Sequence, residues 1–338
     1  MSTIAMGTTS PNRGTTLAIT SGPLTSTTGS RGNPGAQVPC GSVVTQPLFV
    51  WAEWPDLYTK SEYVSYFAKL MGFVAGNCGN FRVTRIILRV TDPTVAGLFV
   101  PAVSSAIYTE FLSKLGGNVE LKLYPYLYDQ RAQSAWGPSG KPLEGVFKFA
   151  KQWNDLLASS GASTRFTGVV LDGEEKGGFN NELASVPNYK NQYGLASLGI
   201  AIGYDATGQV ASYSTADEFY LELYDFYINN APKLTLVQAN TGNNTPQTFL
   251  DILDTNVLGP YVGKYGDSRF NFMWSVQAKS RSDCIYPLSG KCGTSDDFGW
   301  FTATNFNQFL QLVQQRYPVF AGRSHGIFQF SFVPPSWF

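Results

Sequence analysis

From residue 46 to the carboxyl end, short apolar runs alternate with amphipathic stretches eight times, and few folds accommodate that rhythm. A strand followed by a crossover helix is the repeating unit of a parallel sheet. The runs read as strands are Pro47–Trp51, Val83–Val90, Val119–Tyr126, Gly168–Leu171, Leu198–Ile202, Leu234–Gln238, Phe270–Val276 and Gly326–Phe332. Most are uninterrupted apolar stretches, as strands covered on both faces should be.

The stretches between them carry helical periodicity. Over 142–158, Val146, Phe149, Ala150, Trp153 and Leu157 recur at helical spacing, and over 304–317 Phe306, Phe309, Leu310, Val313 and Tyr317 do the same. Thr59-Lys-Ser-Glu62 and Thr215-Ala-Asp-Glu218 read as capping boxes, and Thr245-Pro246 as an N-cap followed by a first-turn proline. Residues 179–194, with their Asn, Pro and Gly, predict a short helix or a long loop, and no eighth helix follows the last strand.

Eight such units form either a closed (β/α)8 TIM barrel or an open doubly wound sheet. The open sheet usually carries a glycine-rich phosphate turn after its first strand. Here Ala52-Glu53-Trp54-Pro55-Asp56 follows instead, with no glycine. The expectation is therefore an α/β chain whose residues 46–338 form a TIM barrel, with active-site groups at the carboxyl ends of the strands. Residues 1–45, dominated by Thr, Ser, Gly and Pro, cannot bury a core and read as a flexible or partner-bound arm, a candidate for self-assembly.

Composition narrows the partners. Only 14% of residues are charged, against about 25% in typical soluble domains, and the 24 basic residues balance the 24 acidic ones. Without a Lys/Arg cluster, nucleic acid is not an expected partner. No window is long and apolar enough for a membrane span, and residues 1–30 lack the basic start and apolar core of a secretory signal. The expected location is extracellular or associated with a surface or particle, reached without a classical signal, with the cytoplasm as the alternative. Cys284 and Cys292 bracket a short loop that could close as a disulfide, with Cys40 and Cys78 as a second pair, or all four could be free thiols. With His325 the single histidine and no Cys-x-x-Cys, neither a metal site nor a cofactor is expected. His325 itself precedes strand eight, at the stability face, and Asn243-Asn244-Thr245 is a glycosylation sequon that matters only in a secretory route.

The residues that follow the strands are polar and aromatic. Glu53 and Trp54 follow the first, Asp92 the second, Tyr128 and Asp129 the third, Tyr204 and Asp205 the fifth, and Asn240 and Gln277 the sixth and seventh. Candidate substrate-binding groups are Glu53, Trp54, Tyr126, Asp129, Tyr204, Gln238, Asn240, Trp274 and Gln277, with Trp51, Tyr124 and Tyr128 as further aromatics able to stack on a sugar face or to fill the interior. The sharpest element is Thr167-Gly-Val-Val-Leu-Asp172-Gly-Glu174-Glu175. An apolar strand ending in Asp-x-Glu turns both carboxylates to one side of the pleat. Neighbouring carboxylates repel, which raises the pKa of one and suits it to general-acid work on a glycosidic bond, although a solvated acidic turn bound by Lys176 has the same sequence.

This element resembles the fourth strand of the family 18 glycoside hydrolases, the chitinase-like barrels, which carry Asp-Gly-x-Asp-x-Asp-x-Glu. Gly168, Asp172 and Glu174 fall on that pattern, while Thr167 and Val170 replace its first two aspartates. The resemblance implies Glu174 as the acid and Asp172, or Glu175, as its partner, Asp172 orienting the substrate's N-acetyl group as nucleophile. The tyrosine that the family carries at strand six is not evident in Leu236-Val-Gln-Ala-Asn240, and strand eight lacks the usual tryptophan. A nucleophilic glutamate after strand seven, as in other retaining glycosidases, is also missing, since Gln277 stands there and Glu53 would have to serve. Two expectations follow. One is a carbohydrate-active barrel that cleaves or binds a β-linked amino-sugar oligo- or polysaccharide. The other is a non-catalytic component of a virion, sheath or filament that uses such a barrel as scaffold.

Overall fold

Strands that are apolar on both faces need cover inside and out, and the chain supplies it by closing the sheet on itself. The computed structural model describes residues 46–52, 60–76, 80–90, 109–115, 119–125, 141–173, 179–223, 245–274, 303–328 and 330. Within it, eight parallel strands form a closed barrel in chain order. They are β1 (Gln46–Ala52), β2 (Phe81–Arg89), β3 (Glu120–Tyr124), β4 (Phe166–Asp172), β5 (Ser197–Gly203), β6 (Glu218–Glu222), β7 (Phe270–Trp274) and β8 (His325–Ile327). Pairing of Leu48, Phe49 and Val50 with His325, Gly326 and Ile327 joins the last strand to the first. The fold is the expected TIM barrel; the amino-terminal arm lies outside the described residues, as do all four cysteines and the sequon's Asn243.

Helices cover the barrel. Among the described residues, those spanning eight residues or more are α1 (Lys60–Gly76), α2 (Pro142–Ser159), α3 (Val186–Tyr193), α4 (Pro246–Leu253) and α5 (Ala303–Arg316). On α2 the predicted stripe, Val146, Phe149, Ala150, Trp153 and Leu157, is buried, and Phe306, Phe309, Leu310 and Val313 are buried on α5. Pro246 opens α4 as expected. The segment over 179–194 resolves into a 3-10 turn, Phe179–Ser185, followed by α3. Its Glu182 accepts from the amides of Leu143 (2.9 Å) and Glu144 (3.0 Å), so a carboxylate distant in sequence caps α2 where Lys141 offers no side-chain cap.

One strand corrects the sequence reading. The sixth barrel strand is Glu218–Glu222, whereas Leu234–Gln238 lies outside the described residues, and the Thr215-x-x-Glu218 pattern opens no helix. Only a 3-10 turn, Ala206–Ala211, stands between β5 and β6. Glu218-Phe-Tyr-Leu-Glu222 has a period of two, with Phe219 and Leu221 outward and Glu218, Tyr220 and Glu222 inward. Pairing of Glu218 with cations from other strands outweighs the local capping signal.

The interior is layered. In a barrel of this kind the side chains at one height come from alternate strands. The strand registers place Arg85, Gly168 and Glu218 low on β2, β4 and β6, then Ile87, Val170 and Tyr220 above them, and Arg89, Asp172 and Glu222 at the top. Tyr220 crosses the middle, meeting Phe49 edge-on at 5.3 Å and Trp51 at 6.2 Å. A Cβ on Gly199 would sit 2.7 Å from its ring, so β5 must be bare there.

Charge fills the base. Arg85 donates from Nε to Glu120 (2.6 Å) and pairs through a terminal nitrogen with Glu218 (2.8 Å). Lys122 Nζ lies 2.8 Å from both Glu120 and Glu218 and also donates to the Ser197 hydroxyl. Tyr220 donates to Glu218 (2.9 Å), and Thr167 to Glu120 (3.0 Å). Two cations thus share two carboxylates across β2, β3 and β6. Burial works against the charged form of Glu120, but Arg85 and Lys122 outweigh it and hold the carboxyl down at about 2. Glu218 is lowered for the same reasons.

On the outer side of β7 and β8, His325 is fully buried and accepts at Nδ1 from the Trp274 indole N–H (3.2 Å). Its proton is therefore on Nε2, which donates to the Phe320 carbonyl (3.2 Å). Burial pushes its pKa down to about 4, the Phe320 carbonyl opposing only in part.

Two measurements check this account. Lys122→Met leaves Glu120 and Glu218 short of a cation and should cost about 3–5 kcal/mol in urea unfolding. For pH, the unfolded chain protonates His325 near its ordinary 6.5 while the folded chain resists to about 4, so stability should fall as pH drops between those values. Glu120 adds a second loss between about 4.5 and 2. In His325→Gln the upper of the two losses should vanish from the Tm-against-pH curve.

Candidate functional site

The carboxyl ends of the strands carry the chemistry in such barrels, and there the inward residues become polar again. Asp172 ends β4 in phase with inward Gly168 and Val170, opposite Ala201 of β5. The backbone amide of Gly173 donates to the Ala201 carbonyl (2.7 Å) and clamps this strand end. The phenol of Tyr213 donates to the Gly173 carbonyl (3.3 Å), and its pKa is raised by burial and then by the nearby Asp172 charge. Asp172 itself remains partly exposed.

Glu222 ends β6 opposite Gly203 of β5 and is only 5% exposed; Arg89 ends β2 opposite Tyr124 and is 3% exposed. Between Asp172 and Glu222, β5 presents only Ala201 and Gly203 inward. Arg89, Asp172 and Glu222, with Phe328 beyond β8, form the uppermost described layer. Directly beneath lie Trp51, Tyr124, Ala201 and Met273. Trp51 packs against Tyr124 (4.7 Å), Tyr220 (6.2 Å) and Phe328 (6.2 Å), an aromatic bed under two carboxylates and a guanidinium. Such a set can donate to and accept from a neutral polar ligand, and the charges of this layer sum to a negative excess.

Sequence reasoning located this end of the barrel but not all its members. Of the expected site residues, Asp172 is brought to the mouth. Trp274 is a correction: it ends β7 but turns outward, 1% exposed, edge-on to Phe309 of α5 at 5.1 Å and hydrogen-bonded to His325, so it has no face for a sugar. Tyr204 follows inward Gly203 and packs edge-on against Tyr261 at 5.3 Å, toward the connection that precedes β7. Glu53, Trp54, Tyr126, Asp129, Glu174, Glu175, Gln238, Asn240 and Gln277 lie outside the described residues. Glu222 and Arg89 join the layer without having been marked by the sequence pattern. The period of two in Glu218-x-Tyr220-x-Glu222 was the available signal for the first.

Compared with known proteins, the chain matches no family model and no curated sequence. Among the described residues no helix is long and apolar enough to cross a membrane, and no group of three or more His, Cys, Asp or Glu side chains could hold a metal ion.

The end of β4 can be tested by Gly173→Ala. Its Cβ would lie 2.6 Å from the Ala201 carbonyl oxygen, forcing β4 and β5 apart beside Asp172. The expected loss is about 1–3 kcal/mol, read from urea unfolding.

Proposed function

We propose that this barrel is carbohydrate-active, acting on or binding a β-linked amino-sugar polymer in the manner of the chitinase-like hydrolases, with Glu174 as general acid. The observation that carries the reading is the inward phase of Asp172 at the end of β4. Glu174 stands two residues on in the sequence, at the next position of that period of two. Asp172 would then orient the substrate's N-acetyl group for attack while Glu174 protonates the departing glycosidic oxygen.

The corrected sixth strand strengthens the resemblance. With β6 at Glu218–Glu222, the chain continues as Leu223-Tyr224-Asp225, so a tyrosine does follow strand six in sequence. The departures at Thr167 and Val170 remain. Thr167 serves the base of the barrel through Glu120, and Val170 sets an apolar side chain below Asp172.

The decisive experiment is turnover of a chromogenic β-linked N-acetylglucosamine substrate. Glu174→Gln should lower kcat by about 10²–10⁴-fold with the fold intact by circular dichroism. Absence of turnover in the unaltered protein, with oligosaccharide binding retained, would reduce the reading to a binding barrel; absence of both would favour the scaffold.

A further inference from the structure

A buried donor needs an acceptor, because leaving one unmade forfeits its hydration. The Trp51 indole Nε1 finds no hydrogen-bond partner among the described residues, although the side chain is only 2% exposed. Nothing in the aromatic bed offers it one. Its ring contacts are Tyr124 on β3, Tyr220 on β6 and Phe328 after β8, so the indole reaches from β1 into the centre of the barrel.

The layer in which that donor lies is distinctive. In its own layer the opposite strand, β5, contributes Ala201, so the largest inward side chain stands across from nearly the smallest. Above Ala201 comes Gly203, and the strands on either side of β5 end in Asp172 and Glu222. The inner face of β5 is thus nearly bare at Ala201 and Gly203, between two carboxylates and across the barrel from the indole. Glu222 lies deeper than Asp172, being 5% exposed where Asp172 is partly open.

We infer that Trp51 and Glu222 form the inner end of the sugar subsite: the indole N–H donates to a ligand oxygen, and the Glu222 carboxylate accepts from a ligand hydroxyl or amide N–H. The inference rests on the saccharide reading and adds two contact residues from β1 and β6 to a site otherwise argued from β4. It also supplies an aromatic floor in a barrel whose eighth strand carries no tryptophan. The ligand it selects bears a donor and an acceptor close together, as a neutral sugar ring does; an anionic sugar meets two carboxylates, Asp172 and Glu222, against the single guanidinium of Arg89.

The test is calorimetric titration with chitotriose, a β-linked N-acetylglucosamine trisaccharide, on the unaltered chain, Trp51→Phe and Glu222→Gln. Trp51→Phe keeps an aromatic ring and removes the N–H; it should bind about three- to tenfold more weakly. Glu222→Gln removes a charged acceptor at constant shape and should bind about ten- to a hundredfold more weakly. Near-ultraviolet circular dichroism and the Tm establish that each variant is folded, and if Trp51→Phe does not fold, Glu222→Gln decides. Folded variants that bind the trisaccharide as tightly as the unaltered chain overturn this inference and leave the saccharide reading standing. An unaltered chain that binds none overturns both.

Discussion

The shared ion pairs at the base of the barrel are the constraint on which the remaining architecture depends. Arg85 and Lys122 each reach both Glu120 and Glu218, so no single pair can be removed without leaving another charge uncompensated. Charges in such a place contribute less to net stability than their number suggests, since desolvation offsets much of the attraction. Their stronger effect is on register. A strand that slips by one residue turns every side chain to the other face, and a slipped β6 would bury Phe219 among the ions and put Glu218 outside, against the helical layer. The network therefore fixes which five residues serve as the sixth strand.

Above that floor the polarity changes twice. Phe49, Ile87, Val170 and Tyr220 fill the middle of the barrel with apolar and aromatic bulk, and charge returns only where Arg89, Asp172 and Glu222 end their strands. An apolar layer thus separates the charged set at the base, paired across β2, β3 and β6, from the charged set at the strand ends. The bare inner face of β5 serves both levels. Gly199 admits the Tyr220 ring in the middle, and Ala201 and Gly203 present almost no side chain between the strands that end in Asp172 and Glu222.

The outer surface of the barrel solves a different problem. Trp274 and His325 satisfy one another's polar atoms in a fully buried setting, and the Phe320 carbonyl takes the remaining histidine proton. A tryptophan at the end of a barrel strand is ambiguous in sequence between ligand stacking and packing. The histidine on the adjacent strand, brought alongside by the pairing of β7 with β8, resolves it as packing.

Much of this was legible in the chain itself. Apolar continuity gave seven of the strands, helical periodicity gave α2 and α5, the Asp172-x-Glu174 alternation gave the end of β4, and the missing glycine turn argued for closure over an open sheet. These are properties of a residue and its near neighbours, which local propensity and pattern encode. The sixth strand, the remote Glu182 cap on α2, the outward turn of Trp274 and the place of Glu222 in the mouth were not legible. Each depends on a partner on another element: Arg85 and Lys122 for Glu218, the α2 amides for Glu182, His325 for Trp274, and the bare β5 backbone for Glu222. The sequence determined that a barrel forms and that its fourth strand ends in an aspartate; only closure of the sheet, by bringing distant strands into register around one axis, decided which side chains share a layer.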